Sequence, residues 1–157
     1  MNLTVRKATL EDLPYIIQLL ADDDLGQPRE LYQKKIEPSY VKAFMKIDSD
    51  PNQYLMVVLS NMQLIGTCHL TLLPSLTYKG SMRMQIEAVR IAKDYRGQKI
   101  GEWMMQQAFE YAKKHDVKIV QLTTNKHRPK AKQFYERLGF QPTHEGMKYY
   151  LENNDVK

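Results

Sequence analysis

The chain has 157 residues, of which 43% are apolar and 26% charged, as in an ordinary globular protein that is long enough to bury a core. It contains no run near the roughly 18 apolar residues of a membrane-spanning helix, and residues 1–13 lack the apolar stretch of a secretory signal peptide. A single cysteine, Cys68, excludes an internal disulfide and a cysteine-based metal site. We therefore expect one domain over residues 1–157, located in the reducing cytoplasm and without a membrane partner.

The net charge of +5 is concentrated in one part of the chain. Between Arg90 and Arg137 there are twelve Lys and Arg residues against five Asp and Glu residues, so this segment has a charge of +7 and the rest sums to −2. Such a segment indicates an anionic ligand bound at one place. Nucleic acid is not favoured, because the segment has neither interleaved basic and aromatic residues nor a zinc-finger or RNP pattern.

The first part of the chain predicts a strand followed by two helices. Residues 3–8 alternate weakly, and residues 9–14 contain helix-start signals with Thr9 or Asp12 as the cap. The apolar residues that follow at helical spacing are Leu13, Ile16, Ile17 and Leu20. A second helix is expected over residues 29–45, with Pro38 as the point where it can break.

A hairpin and an irregular strand are predicted next. Residues 48–52 form a turn cluster, and residues 54–59 and 64–72 are typical of paired strands. Over residues 82–91 the apolar side chains alternate and then change phase by one residue. Either a β-bulge or a small alanine on the polar face explains this change, and we favour the bulge. The apolar residues concerned are Met82, Met84, Ile86, Ala88, Val89 and Ile91.

The second half predicts a strand–helix–strand unit and a further helix. Residues 99–115 have an apolar helical face, and residues 117–122 are nearly continuously apolar, as in a strand covered on both sides. A crossover of this length makes strands 82–91 and 117–122 parallel. Residues 129–138 form a helix ended by Gly139, and short strands at 141–143 and 147–151 close the sheet. The fold class is α/β with a mixed, mostly antiparallel sheet.

The turn at residues 96–101 is a candidate anion site. It follows a parallel strand and opens a helix, where unpaired N–H groups and the helix dipole attract negative charge. Gly97 and Gly101 allow an anion to approach the backbone, while Arg96 and Lys99 add positive charge. Neither a Walker loop nor a complete dinucleotide fingerprint is present.

Two motifs in this order resemble the GNAT superfamily of N-acetyltransferases. Residues 96–101 match [QR]-x-x-G-x-[GA], except that Lys99 stands where the family has its middle glycine. Residues 131–140 match A-x-x-[LF]-Y-x-x-x-G-F through Ala131, Phe134, Tyr135, Gly139 and Phe140. A second departure is Arg128, which occupies a position that is often Asn in the family. The resemblance extends over residues 3–151 and is diffuse before residue 80.

The resemblance implies a GNAT-like fold, with helices on both faces of the sheet and a bulged strand splayed from its parallel neighbour. Acetyl-CoA then lies in that opening as co-substrate, with no metal. Its pantetheine arm pairs with the backbone of Val89, Arg90 and Ile91. The pyrophosphate and the rest of the nucleotide meet two groups of residues: Arg96, Gly97, Gln98, Lys99, Ile100 and Gly101, and Arg128, Ala131, Lys132, Phe134 and Tyr135. The 3′-phosphate is within reach of Arg128, Lys130, Lys132 or Arg137, although each of these can equally be part of a solvated helix face.

Acetyl transfer to an amine needs a base, an oxyanion donor and help for the leaving thiolate. Glu87 is the candidate base, because it is a carboxylate directly before the phase change in an otherwise apolar segment. A backbone N–H near Val89, freed by the bulge, suits the oxyanion. Tyr135 resembles the family's general acid, which helps only moderately because a thiol with a pKa near 8.5 is a fair leaving group.

The acceptor is expected to be a primary amine of a small molecule or a peptide, attacking directly in a ternary complex. Asp22, Asp23, Asp24 and Glu30 either recruit a cationic substrate or simply cap a helix and face water. Two other classes stay open: a non-catalytic acyl-CoA-binding regulatory domain, and a basic nucleic-acid-binding module. A homodimer also stays open.

Overall fold

The computed structural model describes residues 1–22 and 35–152. Besides two short 3-10 turns, five strands and five α-helical segments follow each other in these ranges: β1 (Leu3–Lys7), α1 (Leu13–Ala21), α2 (Pro38–Ser49), β2 (Gln53–Ser60), β3 (Gln63–Leu73), α3 (Thr77–Gly80), β4 (Met82–Ile91), α4 (Ile100–Lys114), β5 (Val117–Gln121) and α5 (Pro129–Arg137). The four-residue α3 is a turn rather than a regular helix, because Tyr78 and Lys79 have left-handed φ angles of 51° and 61°. No helix in the described ranges is long and apolar enough to cross a membrane.

The strands form one sheet in chain order, β1-β2-β3-β4-β5. The first three pairings are antiparallel and the pairing of β4 with β5 is parallel. Helix α4 connects these two parallel strands, as the crossover rule requires. The mixed α/β class predicted from the sequence is confirmed.

Helices cover both faces of the sheet, so the protein has two apolar clusters. One face packs against α4 and α5 through side chains that include Met56, Val58, Leu70 and Met84. The other packs against α1 and α2 through Leu55, Val57 and Leu59, among others. Successive residues of β2 thus point to opposite clusters, which is why its sequence is apolar without alternation.

The start of α1 is held by one carboxylate. Asp12 accepts a hydrogen bond from the backbone N–H of Thr9 at 2.8 Å, and its two oxygens accept from the Arg6 guanidinium at 2.6 and 2.9 Å. These bonds lower the pKa of Asp12, the Arg6 hydrogen bonds most of all. Of the two capping residues proposed from the sequence, Asp12 supplies the side-chain acceptor and Thr9 the backbone donor.

The phase change in β4 is a β-bulge at Ala88. His69 pairs with Glu87 and Thr67 pairs with Arg90, so two residues of β4 face the single Cys68 of β3. Ala88 takes a left-handed φ of 52°, which turns the following residues by one position. Toward β5, only Met82–Gln85 are paired. The second half of β4 therefore separates from β5 and leaves an opening between two parallel strands.

Three sequence predictions differ from the structure. Helix α2 begins at Pro38, because a proline fits the first helical turn, and it continues to Ser49 rather than ending at residue 45; the expected helix over residues 29–34 lies outside the described residues. Strand β5 is half-buried rather than covered on both sides. The strands expected at 141–143 and 147–151 are not formed.

The last of these differences has a structural cause. After Phe140 the chain passes the loop that follows β5 rather than β5 itself. Lys126 Nζ lies 3.7 Å from Glu145 Oε2, and a Cβ built on Gly146 would lie 3.4 Å from Thr123 Cγ2. Residues 147–151, which follow these contacts, are not paired with β5. Their alternating apolar side chains Met147, Tyr149 and Leu151 are exposed.

Candidate active site

The turn between β4 and α4 presents backbone groups and positive charge to the opening. Its geometry depends on two left-handed residues, Gly97 with φ 77° and Lys99 with φ 61°. Lys99 is the N-cap of α4, and no side chain caps this helix start in the described residues. The first N–H groups of α4 are therefore available to an anion. Arg96, Gln98 and Lys99 are exposed around them.

The two glycines of the turn have different roles in the structure. A Cβ built on Gly97 meets no atom within 4 Å, so Gly97 is needed for its backbone conformation rather than for space inside the protein. A Cβ built on Gly101 would lie 3.4 Å from Phe134 Cζ and 4.0 Å from Ile91 Cγ1. Gly101 thus lets α5 pack close to α4 and β4. The Ile100 side chain belongs to the core, so only its backbone can meet a ligand.

Two arginine side chains donate hydrogen bonds to backbone carbonyl groups of the splayed strand. Arg90 Nη1 donates to the carbonyl of Val89 at 2.9 Å, and Arg96 Nε donates to the carbonyl of Ile91 at 2.9 Å. The side chains of Val89 and Ile91 are half-buried against the α4 side of the sheet. Any ligand that pairs with these carbonyls must compete with the two arginines.

Helix α5 lines the same end of the sheet. Phe134 and Tyr135 pack edge to face with ring centroids 5.2 Å apart, and both are partly buried against the larger apolar cluster. Ala131 and Arg128 are half-buried, whereas Lys130, Lys132 and Arg137 are exposed. The Lys132 ammonium also lies 3.9 Å from Glu136 on the same helix. Of the basic residues expected near a 3′-phosphate, Arg128 is the least exposed.

Tyr135 is mostly buried, and its surroundings change its pKa. Burial raises its pKa, while the nearby Arg128 and Arg90 lower it to a smaller extent. The phenol is therefore protonated at neutral pH. Its ring packs edge to face against Phe134 and Phe140.

Glu87 lies on the other face of the sheet, and its carboxylate is exposed rather than enclosed by apolar side chains as the sequence suggested. Glu87 lies in the half of β4 that has no pairing with β5. Its cross-strand partner is His69. Burial lowers the pKa of His69 and the charge of Glu87 partly opposes this change, so the imidazole is neutral near pH 7.

His69 was not singled out from the sequence, because a lone histidine in an apolar strand has no distinguishing pattern. Its ring nitrogen Nε2 lies 2.6 Å from Gln53 Oε1, and its position directly opposite Glu87 follows only from the strand register. Burial also raises the pKa of Cys68 to about 12, so this thiol is not a nucleophile. No cluster of potential metal ligands occurs among residues 1–22 and 35–152.

Comparison with known proteins identifies the same family that the two sequence motifs resemble. A family model described as the acetyltransferase (GNAT) family matches residues 15–140. An uncharacterized N-acetyltransferase of Methanocaldococcus jannaschii is 30% identical over 141 residues, or 88% of this chain. The chain spans about 60% of the length of that relative.

Two solved structures share the fold. A transcriptional regulator from Bacillus halodurans C-125 matches with a TM-score of 0.92 at 44% identity, over 95% of this chain and 99% of that chain. A predicted acetyltransferase from Clostridium acetobutylicum, solved with acetyl-CoA, matches with a TM-score of 0.74 over 96% of this chain and 97% of that chain. At 20% identity the second match shows the fold alone. With its bulged and splayed β4, its uncapped α4 and the matched family model, this chain belongs to the GNAT acetyltransferase family.

Proposed function

We propose that the protein is an N-acetyltransferase that moves the acetyl group of acetyl-CoA to a primary amine of a small molecule or peptide. The observation that supports this best is the opening beside β4, which has a potential base on one side and a proton donor on the other. Glu87 is exposed on the face of α1 and α2, and Tyr135 lies on the face of α4 and α5. Direct transfer in a ternary complex uses a proton acceptor near the amine and a proton donor near the departing sulfur.

The residues present fit coenzyme A. The open space beside Gly97 and the uncapped start of α4 suit a pyrophosphate, and the backbone of residues 89–91 suits the amides of the pantetheine arm. Arg128, Lys130 and Lys132 suit the 3′-phosphate. When bound, acetyl-CoA supplies an activated acyl carbon, so that a C–N bond forms as the C–S bond breaks. The positive charge of residues 90–137 is the electrostatic complement of such a ligand.

The protein's own residues then handle the protons. An aliphatic amine is mostly protonated near pH 7, and Glu87 accepts its proton directly or through water. Neutral His69 beside Glu87 is a second acceptor on the same face. Tyr135 gives its proton to the departing sulfur. The bulge leaves the backbone around Ala88 and Val89 outside the regular pairing with β3, and we assign the oxyanion contact to an N–H there.

The second candidate is a regulatory domain that binds an acyl-CoA without turnover. It is supported by the similarity to a structure named as a transcriptional regulator. Binding alone requires neither Glu87 nor Tyr135, so the two candidates differ in what these residues do.

The exposed row of Met147, Tyr149 and Leu151, together with the outer edge of β5, favours a homodimer in which a second copy covers these residues. Light scattering of the purified chain measures its mass in solution and therefore tests for the homodimer. The buried thiol of Cys68 is compatible with a single cytoplasmic domain.

The deciding experiment is a turnover screen of the full chain with acetyl-CoA and a panel of primary amines. Release of the free thiol and the mass of the acetylated amine are both measured. We expect Glu87→Gln to lower kcat on the order of 10²-fold while acetyl-CoA still raises the melting temperature. Glu110→Gln is the control for a lost carboxylate, because Glu110 is exposed near the C-terminal end of α4 and pairs with Lys113 at 2.8 Å. Acetyl-CoA binding with no acetylated product from any amine supports the regulatory domain instead.

A further inference from the structure

A pocket of about 130 Å³ lies between α1, α2 and the sheet, next to the bulge. Its floor is formed by residues of β3 and β4, namely Thr67, His69 and Ala88. Its walls are aliphatic and aromatic side chains of the two helices, among them Leu20, Phe44 and Ile47. The pocket thus lies directly next to Ala88, the bulged residue of β4.

The pocket lining is mostly apolar, and its polar members are Tyr40, Thr67 and His69. Among the described residues no Asp, Glu, Lys or Arg side chain lines it. The Thr67 hydroxyl is already used, because it donates to the carbonyl of Met56 at 2.8 Å. His69 is held by Gln53 and is neutral near pH 7. A charged or strongly hydrated ligand would lose its water here without gaining partners, whereas an apolar group gains by entering.

We propose that this pocket binds a compact apolar substituent of the acyl acceptor, so that the preferred substrates are primary amines with a branched aliphatic chain or a single aromatic ring. This inference rests on the proposed acetyltransferase function and names the class of amine. The substituent occupies the space between α1 and α2, and the amino group stays at the end of the pocket next to Ala88, the residue that follows Glu87.

The volume sets an upper limit on the substituent. A cavity of roughly 150 Å³ lined by aliphatic and aromatic side chains holds one benzene ring. The pocket here is slightly smaller, so it accommodates about four to six carbon atoms. Polyamines, aminoglycosides and amino sugars have either too many charges or too many hydroxyl groups for this lining. We expect them to be poor substrates.

The first test is a series of amines with increasing apolar size. Each carbon added from ethylamine through propylamine to 3-methylbutylamine should raise kcat/KM about fourfold, which corresponds to the transfer of one methylene group. Phenylethylamine should be close to 3-methylbutylamine, and spermidine and glucosamine should be slower by on the order of 10²-fold. A profile that is flat in substituent size, or one led by spermidine, overturns the inference.

The second test changes the pocket itself. Ala43 lines the pocket and is exposed to solvent. Ala43→Leu therefore reduces the pocket volume on its solvent-exposed side without disturbing the core. It should lower kcat/KM for 3-methylbutylamine on the order of tenfold and leave ethylamine nearly unchanged. Met45→Phe on the same helix is the control, because Met45 is exposed and does not line the pocket. Equal effects of both substitutions on all amines would contradict the proposed location.

A binding measurement separates this inference from the proposed function. 3-Methylbutylamine should raise the melting temperature of the wild type and not that of Ala43→Leu, whether or not turnover occurs. If no amine is acetylated but this shift is seen, the acetyltransferase proposal fails and the apolar site stands. If amines are acetylated but neither the series nor the shift depends on Ala43, the apolar site fails and the enzyme stands.

Discussion

At the scale of single residues, the turn after β4 contains a lysine in a conformation that usually requires glycine. Lys99 has φ 61°, and a left-handed conformation costs an L-residue about 1 kcal/mol or more. It is also the residue by which this chain departs from the glycine of the GNAT motif. A strained lysine at the start of α4 is explained if its positive charge contributes to binding an anion there.

We therefore predict opposite effects of Lys99→Gly on stability and on binding. The free energy of unfolding should rise by about 0.5–1 kcal/mol, because glycine relieves the strain. Acetyl-CoA affinity should fall severalfold, and this loss should shrink at high salt, where charge is screened. Urea unfolding and calorimetric titration measure the two effects. Lys99→Arg is the control, because it keeps both the charge and the strain; if it behaves like Lys99→Gly, this explanation is wrong.

Tyr135 leads to a prediction about pH. Because burial raises its pKa above the usual value near 10, its proton should be available throughout the neutral and mildly alkaline range. We expect Tyr135→Phe to lower kcat about tenfold with little change in acetyl-CoA affinity. The kcat of the wild type should not fall on the alkaline side below about pH 10. An alkaline fall centred near pH 8 that is absent from Tyr135→Phe would contradict the assigned direction of this pKa.

At the scale of elements, one carboxylate connects β1 to the start of α1. The Asp12 residue is only 7% exposed, and it accepts hydrogen bonds from Arg6 and Thr9. Its side chain is therefore part of the structure that positions one wall of the apolar pocket. The ion pair between Lys7 and Asp48, with its charged atoms 3.2 Å apart, has both side chains exposed. It therefore contributes much less to the free energy of unfolding.

Asp12→Asn should lower the free energy of unfolding by about 1 kcal/mol at pH 7, allowing for the exposed Arg6 partner. The pKa of Asp12 is lowered in the folded protein, so its contribution is present above the unfolded value near 3.9 and is lost as the pH falls through the folded value. The difference between wild type and variant should therefore vanish in acid. Urea unfolding at pH 7 and near pH 2.5 measures this. Asp48→Asn should change little at either pH, and an equal loss in both variants would refute the role of Asp12.

The helices and strands also show which sequence patterns were sufficient to predict the structure. The sequence predicts a helix with one apolar face over residues 99–115, and the buried Met104, Ala108 and Ala112 of α4 follow that helical period. The bulge at Ala88 was predicted from the sequence, because the strand alternation of residues 82–91 changes phase by one residue there. The C-terminal strands were not formed, although their alternation was present, since alternation identifies an extended chain and not the edge with which it pairs.

At the scale of the whole molecule, the proposed binding of acetyl-CoA to the folded state predicts a rise in the melting temperature. At a concentration of 100 times Kd, a ligand that binds only the folded state adds about 2.7 kcal/mol. For a chain of this size we expect the melting temperature to rise by about 5–10 °C. No shift at millimolar acetyl-CoA would contradict the proposed cofactor.

The same measurement with dephospho-CoA tests the basic residues of α5. Loss of the 3′-phosphate should reduce the shift, and the reduction should be smaller in Lys132→Ala if this lysine contacts the phosphate. Lys118→Ala is the matched control, because Lys118 lies on β5 and pairs with Asp116 at 2.6 Å. If dephospho-CoA reduces the shift of Lys132→Ala as much as that of the wild type and of Lys118→Ala, the contact belongs to Arg128, Lys130 or Arg137 instead.

The sequence by itself determined the family, the mixed sheet, the bulged strand and the turn that opens α4, because each depends on residue types at short spacing along the chain. The tertiary structure alone decided that Glu87 is exposed, that Gly101 makes room for Phe134, and that His69 and Ala88 form the floor of an apolar pocket. Periodicity shows which face of an element is apolar, but not which distant element covers that face. Burial, pKa values and pockets arise where segments far apart in the chain meet.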